Sequence, residues 1–140
     1  MKCFVYYNLH LKCWSLKALE GERKGRVIGH ALYVDLADVT YKVSEAGRQR
    51  VLRDKKKNVH AGAVGTVERW NSIDFTPHGK PMSETLHYRH MEDPTLRPDV
   101  VTYDPYKGPT FTDVDTGEPV RSSASAFMCP DRRVYVYGRA

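Results

Sequence analysis

One stretch of this chain, residues 44–62, reads as helix, and almost everything around it reads as strand. The stretch is SEAGRQRVLRDKKKNVHAG. Ser44 suits an N-cap, because its hydroxyl can accept from a free amide in the first turn, and Glu45 suits the positive end of the helix dipole. Gly47 stands where a capping-box Glu or Gln would sit, so the box is absent. A short helix over about 44–56 follows. Its spacing sets Arg50, Arg53 and Lys57 on one side and turns Val51 and Leu52 inward. The lysines favour the negative pole of the helix, and Asn58, which tolerates a left-handed backbone, is the expected stop. Ala61-Gly62-Ala63 is expected to let the chain run close to another segment.

The surrounding runs are short, rich in aromatic and β-branched residues, and punctuated by turn signals. Residues 2–7 and 12–17 flank Asn8-Leu9-His10 and predict a hairpin. Residues 19–25 carry a charged turn, and 26–33, 41–43 and 63–70 read as further strands. Between them VDLADV (34–39) is not cleanly periodic and could equally prolong a strand. Residues 99–103 resume a strand before the turn cluster DPYKGP at 104–109. Residues 110–114 and 119–123 read as a second hairpin, and 126–129 and 134–137 as short final strands around Pro130-Asp131. Residues 71–98 hold Pro77, Pro81, Pro94 and Pro98 and little periodicity, and read as a long irregular excursion with a helical turn in SETLHYRHM. The expectation is one α+β domain over residues 1–140, mostly antiparallel β hairpins with one short basic helix.

Charge is unevenly spread. The 44–62 stretch holds six basic and two acidic residues, a charge of +4 out of a formal +5 for the whole chain, so the remainder is nearly neutral. A compact excess of this kind makes a local positive field that attracts phosphate, whereas nucleic-acid binders usually spread basic residues along a face. The alternative is a solvated basic helix with a favourable C-terminus. Nine tyrosines suit a binding surface. No apolar run reaches membrane-spanning length, and MKCFVYYNLH lacks the apolar core of a signal peptide. Cys3, Cys13 and Cys129 are odd in number and show no CxxC, which points to reduced, structural cysteines in a cytosolic compartment.

Motifs for catalysis are missing. There is no GxGxxG, no Walker A, no GxSxG around Ser122, Ser123 or Ser125, and no pair of carboxylates placed together by spacing. His87-Tyr88-Arg89-His90, with Glu84 and Asp93, has a spacing that a metal could use on a helix. Arg89 between the histidines and the lack of a nearby cysteine favour solvated loop histidines instead. No enzyme, metal or cofactor is expected.

What remains is a set of groups suited to an anionic, planar ligand. Arg50, Arg53, Lys57 and Arg121 can pair with phosphate; Tyr103, Tyr106 and Phe111 can stack a base; Asn58 and Asp104 can read hydroxyl or base edges; His60 can reinforce an anion cradle at the helix end. The competing reading makes Tyr103 and Phe111 core and Tyr106 a cover for its turn.

Three segments, FVYYNLHLKCWS, VSEAGRQRVLRDKKKNVHAGAVG and VTYDPYK with the later EPVRSS, together resemble a group of small phage and prophage proteins, the type-one Thoeris anti-defence sponges. The resemblance covers most of the chain apart from 71–98, which looks like an insertion. It implies a phage-encoded homo-oligomer in the host cytoplasm. Such a protein would capture cyclic ADP-ribose isomers made by bacterial TIR-domain enzymes and hold them uncleaved, with cyclic oligonucleotides held by some relatives at a separate site. The family pattern expects asparagine where this chain has Asp104; an aspartate can accept from a ribose hydroxyl but repels phosphate. Arg121 matches a position expected to meet the diphosphate, so Arg121→Glu is expected to abolish capture, with a change at Lys56 as control. Two other readings compete: a nucleic-acid-binding phage protein using the basic helix on a backbone, and an inhibitor that binds a host protein through its Tyr-rich surface and the long loop over 71–98.

Overall fold

A computed structural model describes residues 1–73 and 98–139. Strands β1 (Lys2–Asn8) and β2 (Cys13–Ala18) form the expected hairpin, with Val5 opposite Leu16 and Tyr7 opposite Trp14. Asn8 shapes the connection: its Oδ1 accepts from the amides of His10 and Leu11, both at 3.0 Å, and its carbonyl accepts from Lys12 at 2.8 Å. Strand β3 (Val27–Ala31) adds to β2, and β4 (Val34–Val43) leads into the helix α1 (Glu45–Asp54). Then come β5 (Ala61–Trp70), β6 (Asp99–Thr102), β7 (Phe111–Asp113), β8 (Pro119–Val120), β9 (Ser122–Met128) and β10 (Val134–Arg139). Every strand pairing is antiparallel, in the order β3-β2-β1-β5-β4-β9-β10-β6-β7-β8. The fold is thus predominantly β with one short helix among the described residues, the coarse form of the α+β expectation.

The sheet coils over its own face. Val5, Leu16, Val34 and Leu36 share a single buried cluster with Val101, Phe111, Val120 and Val136, although these strands lie toward opposite ends of the sheet order. Each fully buried Val or Leu contributes about 1.5–3 kcal/mol. The coil is pinned by Trp14, whose Nε1 donates to the carbonyl of Cys129 at 2.8 Å across 115 residues of chain. Cys3, Cys13 and Cys129 are free thiols inside the fold.

The irregular VDLADV stretch is continuous strand. Val34 and Leu36 point into the core, and after a break so do Val39 and Tyr41, one residue out of phase. The break is a register shift against β5 between Ala37 and Thr40, with Asp38 in a left-handed backbone (φ 53°). An inserted residue of this kind restores the inward face after a kink. Periodicity fails over 34–39 because two half-strands of opposite phase meet there.

Helix α1 starts as expected: the Ser44 hydroxyl accepts from the Gly47 amide at 3.2 Å. It stops earlier than expected. Lys55, not Asn58, takes the left-handed position (φ 56°), and its amide closes on the Val51 carbonyl at 3.0 Å. Lys57 therefore lies beyond the helix and does not share a face with Arg50 and Arg53. Val51 is buried, whereas Leu52 is only partly so. The Ser44 amide donates to the His60 carbonyl at 2.7 Å, clasping the two ends of the helical excursion, and Arg48 Nε donates to the Pro105 carbonyl at 2.9 Å. Gly62 meets the expectation of close approach: a Cβ there would lie 2.6 Å from the Val5 carbonyl oxygen. Of the 71–98 excursion, Asn71 and Ile73 still hold to the sheet through Tyr33 and His30. The expected helical turn in SETLHYRHM and the His87–His90 grouping lie outside the described residues.

Candidate functional site

The β1–β2, α1–β5, β6–β7 and β9–β10 connections line an open cavity of about 610 Å³. One wall is the β1–β2 hairpin with Tyr7, Leu9, Lys12 and Trp14, joined by Arg132 from the β9–β10 turn. The facing wall is the end of α1 and the segment into β5, from Lys55 to Gly62, together with Tyr103–Tyr106 and Phe111 from the β6–β7 connection.

Aromatic rings form the first wall and the floor. Tyr7 and Trp14 meet edge-on with centroids 5.3 Å apart, and the Arg132 guanidinium lies 4.6 Å from the Tyr7 ring centre. Tyr103 and Phe111 stack at 5.2 Å, and Phe111 also meets Tyr41 at 5.2 Å. Phe111 is only 5% exposed, so it supports the floor from the core and does not offer a face to a ligand. Tyr106 is 62% exposed, with Lys55 Nζ 5.5 Å from its ring centre. Of the three rings expected to stack a base, Tyr106 alone keeps a largely open face.

A hydrogen-bonded relay fixes the middle of the site. His60 Nδ1 lies 3.1 Å from the Asn58 carbonyl oxygen and 3.2 Å from Asn58 Oδ1, both acceptors, while Asn58 Nδ2 reaches the Gly47 carbonyl at 3.4 Å. These partners assign the proton to Nδ1 and leave Nε2 to accept from the Tyr103 hydroxyl at 2.7 Å. Burial pushes the Tyr103 phenol up to about 12; the Arg48 charge opposes the shift, and Glu45 and Asp104 add to it. Tyr103 therefore remains a donor at neutral pH. His60 occupies room that Gly47 leaves: a Cβ on Gly47 would sit 2.5 Å from the His60 Cβ. The missing capping-box side chain is thus the space in which His60 packs.

Charge at the cavity is one-sided. Lys12, Lys55, Lys56, Lys57 and Arg132 line it, against the carboxylate of Asp104 among the described residues. Asp104 is committed to its own turn, with Oδ1 accepting from the Tyr106 amide at 2.9 Å and its carbonyl from Lys107 at 3.0 Å. Among the described residues none of the five cations is ion-paired, while Arg48, Arg53 and Arg139 are paired with Glu45, Asp54 and Asp113 at 2.9, 3.0 and 2.8 Å. Unpaired cations around an aromatic cavity can hold phosphate, carboxylate or sulfate groups on a flat, apolar body.

The cavity brings together Lys57, Asn58, His60, Tyr103, Asp104, Tyr106 and Phe111. It does not include Arg50 and Arg53: Arg50 Nε turns back to the Ala46 carbonyl at 3.4 Å, and Arg53 pairs with Asp54. Arg121 lines a second, smaller hollow of about 360 Å³ with Tyr41 and Lys42, across Phe111 from the cavity. Lys56, expected to be a neutral control, lines the cavity itself. Sequence reasoning missed Tyr7, Lys12, Trp14, Lys55, Lys56 and Arg132 as site residues. The available signal was the absence of glycine from two tight connections: Lys12 and Arg132 have φ of 56° and 70°. Among the described residues, no group of three or more His, Cys, Asp or Glu is placed to hold a metal ion, and no helix is long and apolar enough to cross a membrane.

No solved structure matches this chain. The Gene 82 protein of Mycobacterium phage L5 is 35% identical over 134 residues, spanning 91% of this chain and 90% of that protein. The family model described as Mycobacterium phage L5 gene 82 protein matches residues 1–136, and the chain belongs to that phage-encoded family.

Proposed function

We propose that this protein captures an anionic, planar small molecule in the cavity and holds it without cleaving it. In this reading the ligand is a cyclic nucleotide immune signal of the cyclic ADP-ribose class, and the protein is a phage anti-defence sponge acting as a homo-oligomer inside the infected cell. One observation carries the binding part: among the described residues, five unpaired cations and one committed carboxylate line an aromatic cavity of about 610 Å³. That volume is within the ordinary range for small-molecule sites, roughly 300–1,000 Å³. Each charge-assisted hydrogen bond to phosphate contributes about 1.5–3 kcal/mol, and a stacked base about 1–3 kcal/mol. The choice of cyclic ADP-ribose isomers, and the oligomer, rest on the resemblance of three sequence segments to the Thoeris sponges. Cyclic oligonucleotides remain a second ligand class for the same assay.

A capture-and-release assay tests the proposal. The protein is mixed with cyclic ADP-ribose isomers and cyclic oligonucleotides and filtered; the retained protein is then heated and the released material separated by chromatography. Depletion followed by recovery of unchanged nucleotide is the expected result. Depletion with an altered product would make the protein an enzyme. No depletion would refute the sponge and turn attention to nucleic acid, on the Arg50 face of α1, and to host proteins.

A further inference from the structure

Among the described residues, four non-glycine residues have a left-handed backbone: Lys12, Asp38, Lys55 and Arg132, at φ 56°, 53°, 56° and 70°. Asp38 belongs to the kink in β4. The other three are all cationic, and all line the one cavity from three different connections. At each of them glycine is the ordinary solution. Lys12 closes a hairpin connection on the Asn8 carbonyl, Lys55 is the left-handed cap of α1, and Arg132 ends a tight turn on the Cys129 carbonyl at 3.1 Å. Nothing in the turns themselves calls for a long basic side chain. A strained backbone at one such position is a local matter; three, each carrying a positive charge to the same cavity, point to a ligand.

We infer that Lys12, Lys55 and Arg132 form a clamp, built from three connections, for a ligand bearing two or more phosphates. This rests on reading the cavity as an anion site, and it adds which residues hold the anion and what class of anion they fit. The Arg132 guanidinium lies 4.6 Å from the Tyr7 ring centre, and its planar fork can donate to two oxygens at once. Lys55 sits over Tyr106 on the facing wall. With cations on three connections, a ligand bearing two phosphates can pair with more of them than a ligand bearing one, while a base lies on the open face of Tyr106.

The test uses adenosine, AMP and ADP as probes, with affinity measured by calorimetry on the full chain. ADP is expected to bind at least tenfold more tightly than AMP, and adenosine more weakly than either. Lys12→Gln, Lys55→Gln and Arg132→Gln keep a polar side chain and the strain but remove the charge, and each is expected to lower ADP affinity about tenfold. Lys12→Gly, Lys55→Gly and Arg132→Gly are expected to lose the same affinity while raising Tm, since they relieve both strain and like-charge repulsion. Lys24→Gln, outside the cavity, is expected to leave ADP affinity within twofold. ADP binding no tighter than AMP, or variants of the three residues that bind like wild type, would overturn the clamp. Capture of a cyclic nucleotide that all three variants retain would overturn the clamp and leave the sponge standing. ADP binding that the variants lose, without capture of any cyclic nucleotide, would support the clamp and remove the sponge.

Discussion

Gly47→Ala separates two opposite expectations by sign. On an open helix surface the change adds helix propensity and stabilises, by up to about 1 kcal/mol and by less near the N-terminus. Here the new Cβ would lie 2.5 Å from the His60 Cβ and 3.6 Å from its Cα. Carbon atoms in good contact lie about 3.5–4.0 Å apart, so the helix and the segment at His60 must separate by roughly 1 Å. No rotamer change helps, because the position of a Cβ is fixed by its backbone. That backbone is held by the Ser44 amide on the His60 carbonyl at 2.7 Å, and the ring by Tyr103 and Asn58. Overpacking of this kind costs about 1–3 kcal/mol, leaving a net loss of about 1–2 kcal/mol. For a chain of this size that lowers Tm by about 3–8 °C. Urea denaturation reads the change as a lower midpoint at unchanged slope. The same substitution in a His60→Gly background, where the opposing Cβ is gone, is expected to be neutral or stabilising. A stabilising Gly47→Ala in the wild-type background would refute the argument that this glycine exists to seat His60.

Other outcomes follow from the same geometry. Arg121→Glu is expected to leave nucleotide capture unchanged and Lys56→Glu to weaken it at least tenfold in the capture assay, because only Lys56 lines the main cavity. The Tyr103 phenol is pushed up to about 12 from its ordinary value near 10, chiefly by burial. Its contribution to stability is therefore complete below pH 10 and lost as pH rises toward 12, and urea midpoints across that window should fall less steeply in Tyr103→Phe. Burial raises the thiol pKa values of Cys3, Cys13 and Cys129, that of Cys129 to about 12 with help from Asp131. A thiolate-directed reagent at neutral pH is expected to label the native protein slowly and to find all three thiols after unfolding; rapid native labelling would contradict the packing.

Local structure was largely legible in the residues. The first hairpin, the N-cap at Ser44 and the close approach at Gly62 all depend on neighbours in sequence, and local patterns report on those. The end of the helix was misplaced because Asn58 is a better left-handed residue than Lys55, yet the chain puts the strain on the lysine. The 34–39 segment resisted a period because the kink at Asp38 reverses its phase. The cavity was half legible. Residues on the α1–β5 and β6–β7 connections announced themselves by charge and turn chemistry. Lys12 and Arg132 sit in connections at opposite ends of the sequence, and only the coiling of the sheet brings them to the same wall. Arg121 and Arg53 carried the right charge, but direction is set by hydrogen bonds and strand phase that composition does not encode.

The strand order has a consequence in time. β1 must wait for β5, with Val5 opposite Ala63, and β4 must wait for β9, with Val34 opposite Met128. Pairings this far apart close slowly, since the chain entropy of the loop is lost before any contact compensates it. On a ribosome, the hairpin carrying Tyr7 and Lys12 therefore emerges long before Arg132, the residue that completes its wall. The cavity is completed only once Arg132 has been made, so an earlier partial chain lacks the full set of cations with which to engage a ligand.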